Sequence, residues 1–166
     1  MLQILNSQLA AFNTNCAAYL ATQAAFDYWH STALAAIMSV PFNWTHAHRN
    51  AHNTLPFGAA QKFVNLGLKD WWSLSPNGTN PATPIDRLHG PLDRTVYACT
   101  SRFCAQLRSL HNGNGSVRSY AYYLTPADYN TYQQHLQSLG VSVAAGLGIS
   151  SPLKRIEVEQ LLWGWI

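Results

Sequence analysis

The chain has 166 residues, a formal net charge of +3, and 10% charged against 48% hydrophobic side chains. That composition excludes a disordered chain, leaves enough length for a buried core, and places unusually little charge on the surface of a soluble domain. No run of 18 apolar residues occurs, so a membrane-spanning helix is not expected. Cys16, Cys99 and Cys104 are odd in number and lack C-x-x-C spacing, which argues against a disulfide framework or a four-cysteine metal centre.

In chain order, Leu2, Leu5, Leu9, Phe12, Cys16, Tyr19 and Leu20 recur at helical spacing and predict an amphipathic helix over 2–22. A second helix, "AAFDYWHSTALAAIMSV", is expected to stop at Pro41. Residues 41–56, rich in His and Asn and ending at Pro56, read as a loop. A helix follows from about Gly58 to Trp72, then the turn-rich "SLSPNGTNPATP". Pro91 beside Asp93 marks a further helix start, and that helix is expected to run to about Leu110 and close at "HNGNG".

Residues 116–124, "SVRSYAYYL", suit a short strand, a loop or a helix start equally. "TPADYNTYQQHLQSLG" carries a Thr cap, a first-turn proline and a terminal glycine, and predicts a helix over 125–140. "SPLKRIEVEQLLWGWI" repeats the Ser-Pro start. No repeat of 20–50 residues is present. The expected architecture is mostly α, a single domain over 1–166 with six or seven helices, and no strand–helix alternation of a nucleotide-binding sheet. The start "MLQILNSQLA" lacks the basic region and continuous apolar core of a signal peptide, so a reduced, cytoplasmic setting is expected.

Charge is unevenly placed. Asp27 is the single Asp, Glu, Lys or Arg in residues 1–48, whereas residues 49–118 hold eight basic residues against Asp70, Asp86 and Asp93. A basic middle is compatible with a polyanion partner.

Within it, Lys62 falls in the early turns of a helix, where the macrodipole favours the neutral amine that a nucleophile requires. Asp93 falls at another helix start, where a carboxylate anion is stabilised. An amine and a carboxylate so placed are suited to stabilise a cationic sugar and trap it as a Schiff base. Without further information both also read as ordinary solvated helix charges.

The stretch "LPFGAAQKFVNLGL" resembles the hairpin and following helix of the helix-hairpin-helix DNA glycosylases, the endonuclease III-like and 8-oxoguanine glycosylase-like superfamily. There a Leu-Pro-Gly turn leads to a lysine, then a small residue and an Asn, an order kept here by Lys62, Val64 and Asn65. "PLDRTVYACTSR" is similar to the family's second landmark, with Leu92, Asp93, Val96 and Arg102 in the matching places.

The resemblance, confined to residues 55–102, implies Lys62 as the Schiff-base lysine and Asp93 as the essential carboxylate. It further implies nucleic-acid contacts from Gly58, Gln61, Arg87, His89 and Arg94. The implied activity is DNA N-glycosylase/AP lyase base excision on double-stranded or damaged DNA, without a cofactor.

Three other constellations carry weaker signals. "HAHRNAH" offers His46, His48 and His52 as zinc ligands, although a loop does not fix a common face. Cys16 with Asp27 and His30 beyond it lies in mid-helix and reads as a small core residue. Trp71, Trp72, Tyr120, Tyr122 and Tyr123, interleaved with Arg102, Arg108 and Arg118, would suit base stacking or a helical core. The reading from a different class is a non-enzymatic helical binding or oligomerisation module, with a protein or nucleic-acid partner and a homo-oligomer among its forms.

Overall fold

The computed structural model describes residues 1–44, 52–92, 96 and 124–164. The chain is mostly α, as its periodicity predicts. Helices α1 (Leu2–Tyr19), α2 (Gln23–Met38), α3 (Phe57–Leu74), α4 (Pro126–Leu147) and α5 (Arg155–Gly164) are joined by one 3-10 turn, Ile85–Arg87. The expected helix over 91–110 and the segment 116–124 lie almost wholly outside the described residues. Val96 among them is helical and buried.

Several boundaries differ from expectation for identifiable reasons. The helix expected to reach residue 22 ends at Tyr19, because Thr22 caps the next one: its hydroxyl accepts the Ala25 amide at 3.0 Å. The segment 41–56, expected as a loop, contains two short antiparallel strands, β1 (Pro41–Trp44) and β2 (His52–Thr54), with Pro41 opposite Thr54 and Trp44 opposite His52. Proline is tolerated at the first position of a strand, and the aromatic residues after it favour extended backbone.

Helix α4 begins at the expected Thr125 cap, which Asp128 completes as a capping box, but does not stop at Gly140. That glycine is there for proximity: a Cβ at 140 would lie 2.1 Å from the Leu153 carbonyl oxygen. The helix instead ends at Gly148, which adopts the left-handed conformation (φ 67°) that glycine reaches without steric penalty. The last helix starts at Arg155 rather than at Pro152, with the Glu157 carboxylate accepting the Lys154 amide at 2.7 Å.

Two apolar clusters form the interior. The larger draws on α1, α2 and α3 and includes Phe12, Phe26, Trp29, Ile37, Val64, Leu68 and Trp71, completed by Leu88 and Ile156. Phe12 is its centre, 4.4 Å from the Trp29 ring and 4.8 Å edge-on from Trp71. Each such side chain contributes about 1.5–3 kcal/mol by burial, and each favourable ring pair adds roughly 0.5–1.5 kcal/mol.

The smaller cluster gathers Leu92, Val96, Leu124, Tyr129, Tyr132 and Leu136 with Val158 and Leu162 of α5. Phe57, at the start of α3, packs against both. Polar side chains from α2, α3 and α4 meet where these elements converge, and they build the site described next.

Candidate functional site

The first turns of α3 hold the expected lysine. Gln61, Val64, Asn65 and Leu68 form one buried stripe, while Lys62, one position off it, is half-buried. Asp93 lies outside the described residues, but its chain neighbour Leu92 is fully buried and held in place.

The Gln61 side chain grips it twice: Nε2 donates to the Leu92 carbonyl at 2.7 Å and Oε1 accepts the Leu92 amide at 3.3 Å. Two residues earlier Gln133 of α4 does the same to Gly90, accepting its amide at 3.0 Å and donating to its carbonyl at 2.9 Å. Two glutamines thereby supply the backbone partners that a neighbouring strand would otherwise give to an extended segment.

Gln61 cannot be turned over. Its Nε2 faces two carbonyl oxygens, those of Gly58 (2.8 Å) and Leu92, so its Oε1 must face Asn65. The proton positions along the rest of the network follow. Asn65 Nδ2 donates to Gln61 Oε1 at 3.1 Å and to the Tyr129 hydroxyl at 2.8 Å. Asn65 Oδ1 must then accept from His30 Nε2 at 2.8 Å, which puts the His30 proton on Nε2.

The Tyr129 oxygen already accepts from Asn65, so its hydrogen goes to His89 Nδ1 at 2.9 Å. His89 in turn donates from Nε2 to Asp27 Oδ1 at 3.2 Å. One directed chain therefore runs from a backbone segment to a carboxylate at the surface. Asp27 is 51% exposed, whereas the His89 side chain is 7% exposed.

The electrostatics match this arrangement. Burial pushes His30 down to about 3, helped by the neighbouring His89, against the opposing bond to Asn65. His89 is lowered by burial first, with the Asp27 bond working the other way and Arg155 adding to the lowering. Both rings are neutral at physiological pH, consistent with the single-proton tautomers that the bonds require. Burial opposes ionisation of Asp27, but bonds from His89 and from Gln23 (2.7 Å) hold it below the usual carboxylate range. Tyr129 is raised by burial and stays a neutral donor. The His30 and Tyr129 rings stack with centroids 5.8 Å apart and planes 3° apart.

Arg155 ties this region to α5: its Nη2 donates to Gln23 Oε1 at 2.8 Å and to the Asp86 and Arg87 carbonyls, each at 3.2 Å.

The residues anticipated as phosphate contacts are placed differently. Gly58 is buried, Gln61 is fully buried, and His89 is buried against Tyr129 and Asp27, so all three face inward as parts of the scaffold. The reason is packing: Gln61 is taken up by the Leu92 backbone, and His89 by Tyr129 of α4 and Asp27 of α2. Arg87 is half-buried at the end of the 3-10 turn, and Arg94 lies outside the described residues.

Of the histidines weighed as metal ligands, His46 and His48 lie outside the described residues and His52 belongs to β2. Among the described residues no group of three or more His, Cys, Asp or Glu is arranged to hold a metal ion. Cys16 is half-buried against the larger cluster, as a core residue. Trp71 is core, and its Nε1 donates to Asn13 Oδ1 at 2.8 Å.

Sequence reasoning singles out neither Tyr129 nor Gln133 and takes His30 and Asn65 in other roles, yet the network residues left a signal. On α2, Phe26, Trp29, His30, Ala33, Leu34 and Ile37 make one apolar stripe with a histidine in it. On α4, Tyr129, Tyr132, Gln133, Leu136 and Gly140 do the same around a glutamine. A polar residue on a stripe otherwise apolar must find a buried partner, and here several found one another.

Comparison with protein-family models, with curated proteins and with solved structures gives no match. Among the described residues no helix is long and apolar enough to cross a membrane.

Proposed function

We propose that this chain acts on nucleic acid as a DNA glycosylase/AP lyase-like enzyme of the cytoplasm, with Lys62 as the nucleophile and Asp93 as the charge-stabilising carboxylate. The observation that carries this reading is the double hydrogen bond between Gln61 and Leu92. These are the chain neighbours of Lys62 and Asp93, so the chain is fastened to itself at the positions next to the two proposed reacting residues, although thirty residues separate those. Such a tie is what a two-residue site on different segments requires, since a misplacement of about 1 Å at reacting groups can lower a rate on the order of 100-fold.

In this reading the target nucleotide is extruded from the duplex, and Asp93 stabilises the positive charge that develops on the sugar. The Lys62 amine attacks the anomeric carbon through its nitrogen lone pair as the glycosidic bond breaks and the base departs with the bonding electron pair. The C1′–O4′ bond then breaks as a proton passes from the nitrogen to the ring oxygen, giving the imine, and loss of a C2′ proton expels the 3′ phosphate and cleaves the strand. Arg87 and Arg94 are the proposed phosphate contacts.

The test is borohydride trapping on abasic and damaged duplexes. A covalent adduct is expected with the unaltered chain and is lost in Lys62→Ala. Absence of an adduct, with duplex binding equal in the two proteins, overturns the chemistry.

The non-enzymatic reading, a binding or self-associating helical module, draws on exposed apolar side chains such as Leu2, Tyr28 and Leu74. It is supported if sedimentation shows a dimer and DNA binding is absent at low salt.

A further inference from the structure

The chain of bonds from Asp27 to Leu92 has one property that its geometry imposes. Every donor and acceptor in it is committed by the two ends, the Leu92 backbone at one and the Asp27 carboxylate at the other. Adding one proton at His89 Nδ1 sets two hydrogens against each other, because the Tyr129 hydroxyl already donates there.

Among the described residues the hydroxyl has no other acceptor to turn to. Its second neighbour, Asn65 Nδ2 at 2.8 Å, is a donor, and His30 Nε2, 3.5 Å away, carries the hydrogen that Asn65 Oδ1 accepts. A proton on His89 therefore cannot be absorbed locally. It reverses the bond at Tyr129 and leaves the hydroxyl hydrogen without its acceptor, so the hydroxyl must turn or shift against Asn65, whose amide also holds Gln61.

We infer that the Asp27–His89–Tyr129–Asn65–Gln61 chain is a proton-operated clamp, which fastens the 90–92 segment to α3 when His89 is neutral and loosens it when His89 takes up a proton. The input end is accessible, because Asp27 is half-exposed.

The groups facing His89 from the surrounding elements set its response. From α2, the Asp27 carboxylate favours the imidazolium and His30 disfavours a second charge beside it. From α5, the Arg155 guanidinium opposes it, and from α4, Tyr129 presents its hydroxyl hydrogen. The clamp concerns the 90–92 segment alone and holds whether or not Lys62 is a nucleophile, so its test needs no DNA.

Nuclear magnetic resonance of the full chain labelled with nitrogen-15 provides that test, through the histidine ring nitrogens and the Gln61 side-chain amide. At pH 7.5 both His30 and His89 should be the Nε2–H tautomers. On acidification the Gln61 amide signals should move with the same midpoint as the His89 ring, while α1 amide signals stay in place.

Asp27→Asn keeps an oxygen for His89 but removes the charge. It should shift both midpoints to lower pH by the same amount. Tyr129→Phe should leave His89 titrating and uncouple Gln61 from it. If Tyr129→Phe does not fold, Asp27→Asn at the half-exposed position decides the matter. Gln61 signals that do not respond while His89 titrates would overturn the inference, as would α1 signals collapsing at the His89 midpoint.

Discussion

Gln61 of α3 and Gln133 of α4 grip the same short extended segment from two different helices, one at Leu92 and the other at Gly90. Each offers a carbonyl and an amide group to one residue's backbone, so a segment with no strand beside it among the described residues keeps all four of these groups bonded. Buried backbone groups without partners are strongly disfavoured, which makes the two side chains structural necessities of this interior.

Replacing Gln61 with alanine is expected to leave the Leu92 amide and carbonyl without their side-chain partner and to unseat Asn65, destabilising the fold by about 2–4 kcal/mol. Gln133→Ala, with fewer buried partners, should cost somewhat less. Urea unfolding midpoints measure both. A change below about 0.5 kcal/mol for Gln61→Ala, the range of an ordinary surface substitution, would remove the clamp from any account of stability.

Stability should also fall in mild acid. The unfolded chain protonates His30 and His89 near the ordinary histidine value of 6.5, whereas the fold holds His30 down to about 3 and His89 below its ordinary value. As pH drops below 6.5 the unfolded state takes up protons that the folded state refuses, so unfolding becomes more favourable until the folded value is reached. Each histidine contributes a slope of up to about 1.4 kcal/mol per pH unit in that window. Denaturant titrations from pH 7.5 to 4.5 should show this decline. A flat profile would mean that the two rings are not held neutral.

Lys69 and Glu159 link α3 to α5 through a 2.6 Å ion pair, with the Glu159 side chain 1% and the Lys69 side chain 21% exposed. Lys69→Met removes one charged partner from a buried carboxylate and should cost about 2–4 kcal/mol, the lower part of the range for buried pairs because Lys69 is partly solvated. The double variant Lys69→Met/Glu159→Leu should recover most of that loss. If the double variant unfolds as readily as the single one, the penalty lies in packing and not in the lost ion pair.

Much of the fold was legible before any coordinates. The periodicity of α1, the stop of α2 before Pro41 and the Thr125 cap are local signals, and local physics obeys them. The mostly α class follows from the same signals. Where the reading failed, a distant partner decided. Gly140 looks like a helix end but is a contact point for the Leu153 carbonyl, and the segment before Leu55 folds into a strand pair only because its two halves meet.

The site divides in the same way. Lys62 and Asp93 stand out in the sequence because of residue type and helix-start position, and Gln61 drew notice as a surface contact. Its true environment, with no exposed surface and a hydrogen bond to a backbone thirty-one residues away, could come only from packing. The sequence alone determined where helices form and which faces are apolar, because those depend on neighbours three or four positions apart. Tertiary structure alone decided that the polar residues on those faces are one another's partners, because a buried donor is satisfied by whatever the folded chain brings within 3 Å of it.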